Sequence, residues 1–133
     1  MIGEMVGELT GKVVGQRIVH QWGGPLKLER TFETKGKILG IEVTFLATTY
    51  GMERPQGGMF VKGDGVIMTK TGEKAELHGA GISMPAKGGW SVRGTRYLQT
   101  NAPALKRLND VAIPFELEIA ADGTIHDKWW EWK

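Results

Sequence analysis

Two arginines stand in segments whose alternate residues are apolar. Arg30 shares a strand face with Leu28 and Phe32, and Arg96 shares one with Leu98. A buried charge is costly unless it is paired, so arginines that point inward need an acidic side chain or a ligand carboxylate. Two inward arginines therefore indicate an anionic ligand. In the alternative orientation the opposite faces are buried and both arginines point to solvent.

Histidine and tyrosine supply the other polar candidates for a binding site. The three histidines, His20, His78 and His126, fall on different predicted strands, and none is two or four residues from another. Such close pairings would place imidazoles on one metal ion, so no metal site is predicted, although a barrel could bring distant carboxylates beside a histidine. The residues expected to bind the ligand are Arg30, Tyr50, His78 and Arg96.

No motif for covalent or cofactor chemistry is complete. Gly63-x-Gly65 and Gly79-x-Gly81 lack a third glycine three residues on, and no helix follows that could present its amides to a pyrophosphate. The chain has two serines, neither in a nucleophile elbow, and no cysteine. We therefore predict no cofactor and no hydrolase of the triad type.

Charge and length exclude several classes of partner. The 133 residues carry 17 basic and 15 acidic side chains, which are scattered along the chain. A protein that binds nucleic acid or a membrane surface concentrates its basic residues on one face, so neither partner is predicted. No apolar run approaches the ~20 residues of a membrane span, and the first residues do not read as a secretory leader. We expect a cytoplasmic protein with one domain over residues 1–133, for which a homo-oligomer stays open.

Alternation of apolar and polar residues with a period of two dominates the chain and predicts an all-β fold. No helix is long enough for a parallel crossover, so neighbouring strands should pair antiparallel. We predict an up-and-down eight-stranded barrel, which leaves no exposed sheet edge, with a two-sheet sandwich as the alternative. The predicted strands lie near residues 5–20, 26–34, 38–50, 58–70, 73–84, 89–99, 110–119 and 124–132.

One short segment is predicted to be helical. Asn101 can cap it, Pro103 suits its first turn, and Leu105 and Leu108 fall on one side. Glycine-containing turns are predicted between the strands, one of them at Lys35-Gly36-Lys37.

The hairpin around Gly72 carries a prediction of register. Pairing of Ile67 with Leu77 gathers four glycines on one sheet face, namely Gly63, Gly65, Gly79 and Gly81. Glycines within strands mark either a sharp bend or the close approach of another group, such as a ligand.

The last hairpin leaves two registers open. A two-residue Asp122-Gly123 turn pairs Phe115 with Trp130, whereas one more loop residue pairs Phe115 with Trp129 and aligns acidic and basic side chains. Core packing or barrel closure is the role expected of this aromatic strand, and an aromatic pocket wall is the alternative.

A series of short motifs resembles a family of small prokaryotic proteins without an assigned activity. Structures related to that family look like the allene-oxide-cyclase barrel, a lipocalin-like eight-stranded fold. The resemblance covers most of the chain from about Leu26 onward and departs from the family at Val61-Lys62. Its motifs are Thr49-Tyr50, Gly63-x-Gly65-x-x-Met68-Thr69, Gly72-Glu73, Gly79-x-Gly81, Arg93-Gly94, Gln99-Thr100, Leu108-Asn109, Phe115-Glu116 and Trp130-Glu131-Trp132-Lys133.

The resemblance implies the barrel and supplies no activity. Allene oxide cyclase steers a reactive substrate within a hydrophobic cavity, but no residue of its site can be matched to this chain. Our leading hypothesis is a protein that binds a small hydrophobic or amphipathic molecule in the barrel, one that is anionic if the two arginines point inward. The alternatives are a cofactor-independent cyclase or isomerase that uses the same cavity, and a structural oligomer subunit whose barrel is filled.

Overall fold

The structure is a computed structural model that describes residues 2–19 and 22–133. Eight antiparallel strands follow one another around a closed barrel, each paired with its neighbours in the chain, and the last strand pairs with the first. The prediction of an all-β up-and-down barrel is therefore confirmed. The strands are β1 (Ile2–Ile18), β2 (Lys27–Ile38), β3 (Ile41–Glu53), β4 (Met59–Thr69), β5 (Lys74–Ala86), β6 (Gly89–Thr100), β7 (Ile113–Ile119) and β8 (Thr124–Trp132).

The turn predicted at Lys35-Gly36-Lys37 is wrong. Strand β2 continues to Ile38, which pairs directly with Ile41, and the turn is made by Leu39 and Gly40 with φ of 52° and 78°. Two residues with positive φ form the tight hairpin that matches strand twist. Gly36 serves another purpose, because a Cβ there would lie 2.1 Å from the carbonyl oxygen of Glu8 on β1.

The hairpin around Gly72 has a different register from the predicted one. Ile67 pairs with Ala75 rather than Leu77, so the expected pairing is wrong by two residues. Thr69 N donates to Glu73 O at 2.9 Å, and Gly72, with φ of 86°, donates to Thr69 O at 3.1 Å. This compact loop lets the ladder begin at Lys74.

The hairpin between β7 and β8 repeats that loop geometry. Ala120 N donates to Thr124 O at 2.8 Å, and Gly123 N donates to Ala120 O at 2.9 Å. The longer of the two open registers is therefore the one observed, with Phe115 paired to Trp129. A three-residue loop with a left-handed glycine accounts for the added residue.

A 3₁₀ helix, Lys106–Asp110, covers one end of the barrel instead of the capped helix expected from Asn101. Leu105 and Leu108 are fully buried and belong to the same apolar cluster as Ile113, Ile125 and Trp129. We call this end of the barrel the helix end. It holds the close-packed core, so the remaining interior space lies toward the other end.

Two of the motifs that carry the family resemblance hold the helix end together. The side chain of Asn109 accepts a hydrogen bond from Thr100 N and donates one to Thr100 O, both at 2.9 Å. Glu131, which is buried, accepts from Arg107 at 3.1 Å and lies 3.5 Å from Lys133. The Leu-Asn and terminal Trp-Glu-Trp-Lys motifs thus have structural roles in this chain.

Within residues 2–19 and 22–133, no helix is long and apolar enough to cross a membrane.

Candidate functional site

The barrel interior contains a cavity of about 60 Å³ at the end opposite the helix. Residues of six strands, β2 to β7, line it, because inward positions alternate along every strand of a barrel. Most of the lining is apolar, and it includes Phe32, Ala47, Leu77, Val92, Leu117 and Ile119. The aromatic strand β8 contributes to the core rather than to the cavity wall. Trp129 is fully buried, and no residue of β8 is among those that line the cavity.

The glycines of β4 and β5 form part of the cavity wall. All four share one sheet face, as predicted, and that face points into the barrel, where protein atoms lie close to each of them. A Cβ at Gly79 would lie 2.9 Å from Arg96 Cγ, and one at Gly65 would lie 2.5 Å from Phe45 Cε1. At Gly63 and Gly81 the nearest atoms are carbonyl oxygens of the neighbouring strands. Close packing within the barrel is therefore sufficient reason for these glycines.

Arg96 points inward and pairs with a buried carboxylate. Its Nη1 donates to both oxygens of Asp127, at 2.9 and 2.8 Å, and the two side chains are only 5% and 0% exposed. The guanidinium also lies against aromatic rings, with Cζ 3.8 Å from the centroid of Phe115 and 4.8 Å from that of Trp129. Ring faces attract a cation at such distances, so Arg96 is satisfied by the protein itself.

Burial shifts both members of this pair toward their neutral forms. It lowers the pKa of Arg96 and raises the pKa of Asp127, and in each case the charge of the partner opposes the shift. Only Nη1 of Arg96 bonds to the carboxylate, and Nε and Nη2 make no hydrogen bond to any described residue. Arg96 is also one of the residues that line the cavity.

Arg30 also points inward and lines the same cavity, but its surroundings differ. Its Nε donates to Oε1 of Gln16 at 3.1 Å, and among the described residues no carboxylate lies within salt-bridge distance. Partial burial lowers the pKa of Arg30, and the described part of the chain places no carboxylate beside it to oppose the shift. The cavity therefore has an uncompensated cation on its wall.

Gln16 reaches Arg30 because of an irregularity in β1. The register between β1 and β2 shifts between Val13 and Gly15, after which Gln16 stands opposite Arg30. A bulge of this kind re-aims the side chains that follow it. Sequence reasoning missed Gln16, since the extra residue interrupts the alternation.

Tyr50 and His78 do not line the interior cavity, contrary to the prediction for the pocket. Inward positions are odd-numbered on β3 and β5, and both side chains lie on the outside, where they border one shallow groove. His78 Nδ1 donates to Oδ1 of Asp64, its cross-strand neighbour. His20 lies outside the described residues.

The sequence offered Asp127 only as a carboxylate that could join a histidine at a metal ion, and its pairing with Arg96 was missed. Asp127 lies between Ile125 and Trp129 on the inward face of β8. That alternation is visible in the sequence, but its pairing with Arg96 depends on the observed register of β7 and β8. Among the described residues no three His, Asp or Glu side chains are grouped as a metal site would require.

Comparison with known proteins adds evidence on the fold. No protein-family model matches the chain, and no curated protein matches it. A protein of unknown function from Clostridium acetobutylicum is similar with a TM-score of 0.82 at 14% identity, over 98% of both chains. A conserved protein of unknown function from Rhodopseudomonas palustris has a TM-score of 0.80 at 14% identity, over 99% of both chains.

A third similar structure is a β-barrel-like protein from Acinetobacter baumannii. Its TM-score is 0.81 at 9% identity, over 99% of this chain and 96% of the other. Identities this low establish the shared barrel fold and nothing about ligand or activity.

Proposed function

We propose that this protein binds a small amphipathic anion, of the monocarboxylate class, inside the barrel. The observation that carries the proposal is Arg30, an inward cation on the cavity wall that has no carboxylate partner among residues 2–19 and 22–133. A charged group in an apolar site is costly unless it is compensated. A carboxylate seated beside Arg30 would supply the missing charge, and charge-assisted hydrogen bonds would orient it.

The rest of the cavity supports an apolar tail. Phe32, Leu77 and Leu117 present hydrocarbon to the interior, and burial of apolar surface is worth about 25 cal/mol per Å². The cavity measures only about 60 Å³, so it suits a ligand with a short hydrocarbon tail. Short-chain carboxylic acids fit both the charge and the size.

The cyclase or isomerase alternative finds less support. It needs an acid or base that reaches the ligand, and the buried carboxylate whose pKa is shifted, Asp127, is fully covered and does not line the cavity. The filled-barrel alternative is weakened by the cavity itself. Binding without chemistry is the function that this geometry favours.

The resemblance to allene-oxide-cyclase-like and lipocalin-like barrels belongs to this proposal. Such a relationship would place the ligand in the hydrophobic interior, where the cavity lies. The motifs behind the resemblance are structural in part, as at Asn109 and Glu131. They therefore support a common barrel more strongly than a common ligand.

Titration of the ¹⁵N-labelled protein with straight-chain carboxylates of two to eight carbons tests the proposal. We expect saturable shifts of the amide resonances of Thr49, Gly63 and Gly79, with dissociation constants of roughly 0.1–1 mM for a ligand this small. The amide of the same acid, which lacks the charge, should bind at least about tenfold more weakly, since one lost charged contact is worth about 1.5–3 kcal/mol.

Two substitutions test whether Arg30 causes the preference for the acid. Arg30→Met should abolish the preference for the acid over its amide. Arg93→Met is the matched control, because Arg93 lies on the outer face of β6 and pairs with Glu118 at 2.8 Å. The proposal fails if no acid of the series gives saturable shifts at about 10 mM, a concentration above millimolar affinity, or if acid and amide bind the wild type equally.

A further inference from the structure

The outer surface of β3 and β4 is rich in exposed apolar side chains. Six large apolar side chains on β3 and β4 are between 39% and 51% exposed, namely Leu46, Tyr50, Met52, Phe60, Val66 and Met68. The outward positions of β2 carry charged residues instead, including Glu29, Glu33, Lys35 and Lys37. Contiguous apolar patches on a protein surface mark interaction sites more often than isolated apolar residues do.

The register arranges the apolar residues in two groups. Met52 stands opposite Phe60, and Leu46 stands opposite Val66. Between these pairs runs a polar row across the strands, formed by Thr48, Asp64 and His78. We call the outward residues of β3, β4 and β5 the outer face, and this row is its middle.

The charges on the outer face are nearly self-complementary. Asp64 and His78 bond to each other, and Glu42 pairs with Lys70 at the far edge, where Lys74 also lies. The charges next to the middle row are Lys62 on one side and Glu76 on the other. Neither forms an ion pair with any described residue. Lys62 stands opposite Ala80, four residues from Glu76, so about 13 Å along the strand separates them. They cannot pair within one chain.

We propose that the outer face joins two copies of this chain in a symmetric dimer. The two-fold axis lies between the two copies and runs along the Asp64–His78 row. Each side of the middle row in one copy then faces the opposite side in the second copy. Lys62 of each copy then meets Glu76 of the other, and the apolar group at Phe60 meets the one at Met68. A two-fold interface must be complementary to itself, and opposite unpaired charges on the two sides of the middle row meet that condition.

The size of the outer face suits a stable dimer. Each outward position occupies about 4.8 by 6.8 Å of sheet, so three strands of about five outward positions cover roughly 500 Å² of flat sheet. The surface of the side chains adds to this area. A stable interface buries about 800 Å² per partner. Large side chains such as Tyr50 and Phe60 raise the accessible area of the face toward that value.

Sedimentation velocity on the full chain, over a range of protein concentrations, tests the proposal. We expect a species of twice the 14.6 kDa chain mass. Lys62→Glu and Glu76→Lys should each raise the dimer dissociation constant about tenfold or more, because symmetry turns two attractive contacts into two repulsive ones. The double variant K62E/E76K should return the constant to within a few-fold of the wild type.

That rescue distinguishes a direct contact between copies from a general charge effect, since the two residues are too far apart to interact in one chain. Phe60→Asp should also yield monomer, and circular dichroism would verify that each variant is folded. Glu33→Lys and Lys35→Glu on β2 are controls that should leave the mass unchanged. A monomeric wild type, a larger oligomer, or a dimer that survives both single reversals and Phe60→Asp would overturn the proposal.

Discussion

Arg30 and Arg96 line the same cavity, but the protein groups that they contact are different. Arg96 is bound to Asp127 at 2.8 Å and lies over the ring of Phe115, so its charge is balanced whether or not a ligand is present. Arg30 has a glutamine amide at 3.1 Å and, within the described ranges of the chain, no carboxylate. An inward arginine can therefore be part of the fold or part of a binding site, and its partner decides which.

The difference is also one of position. Arg96 lies among the large rings next to the packed core, whereas Arg30 lies in the part of β2 that borders the bulged end of β1. Burial opposes the charge at both sites, but only at Arg96 does a protein carboxylate offset that cost. Loss of the arginine should therefore lower the stability of the fold at Arg96 and the affinity for a ligand at Arg30.

The largest expected effect is at Arg96. Arg96→Met leaves Asp127 buried without a partner, and breaking a buried pair from one side costs about 3–5 kcal/mol. That is a large part of the roughly 5–15 kcal/mol that stabilises a domain. Urea unfolding followed by far-ultraviolet circular dichroism measures the loss in free energy of unfolding.

The double variant R96M/D127L serves as the control for that prediction. Replacing both charges by apolar side chains should recover most of the stability, because a buried ion pair exchanged for hydrophobic residues is often neutral or stabilising. An R96M protein as stable as the wild type would show that Asp127 does not depend on Arg96.

The next effect is at Gly79, which makes room for Arg96. In Gly79→Ala the new Cβ would stand 2.9 Å from Arg96 Cγ and 3.2 Å from the Thr95 carbonyl oxygen. Overpacking of this kind costs about 1–3 kcal/mol. Gly15→Ala is the matched control, since no atom lies within 4 Å of its Cβ position, and its unfolding free energy should be unchanged or slightly higher. Equal losses in the two variants would contradict this account of Gly79.

At Arg30 we expect a loss of binding with little change in stability. Arg30→Met removes one hydrogen bond to Gln16 and also removes a partly buried charge, so the unfolding free energy should stay within about 0.5 kcal/mol of the wild type. Affinity for a short-chain carboxylate should fall about tenfold, which corresponds to about 1.4 kcal/mol. A marked fall in stability would show instead that Arg30 has a structural partner, as Arg96 does.

Sequence periodicity predicts most of this comparison but not its decisive part. The alternation of Arg30 with Phe32, and of Arg96 with Leu98, indicated a shared face, and both faces do point inward. The partners of the two arginines could not be predicted, because they depend on the register between neighbouring strands. Asp127 reaches Arg96 only in the register set by the loop that ends at Gly123, and Gln16 faces Arg30 only because of the bulge near Val14.

Turns account for the other differences between prediction and structure. Leu39 adopts a positive φ that its residue type does not suggest, while Gly36 looked like a turn residue and is a point of close strand contact. Tyr50 and His78 were predicted in the pocket because of their chemical type. Odd-numbered residues of β3 and β5 point inward, so these two even-numbered residues lie outside. A shift of one residue moves every side chain to the other face, so a small error in a turn changes which polar groups line the cavity.

The smallest expected effect is at Gln16. Its amide oxygen accepts from Arg30 Nε at 3.1 Å, and the terminal nitrogens of Arg30 bond to no residue that the structure describes. Gln16→Leu should therefore keep the charge at the cavity and lose only its orientation. We expect affinity for the carboxylate to fall about two- to fivefold, in line with the roughly 0.5–1.5 kcal/mol of one hydrogen bond. Calorimetric titration of Gln16→Leu and Arg30→Met with the same acid compares the two, and equal losses would show that Gln16 is as necessary as the charge that it orients.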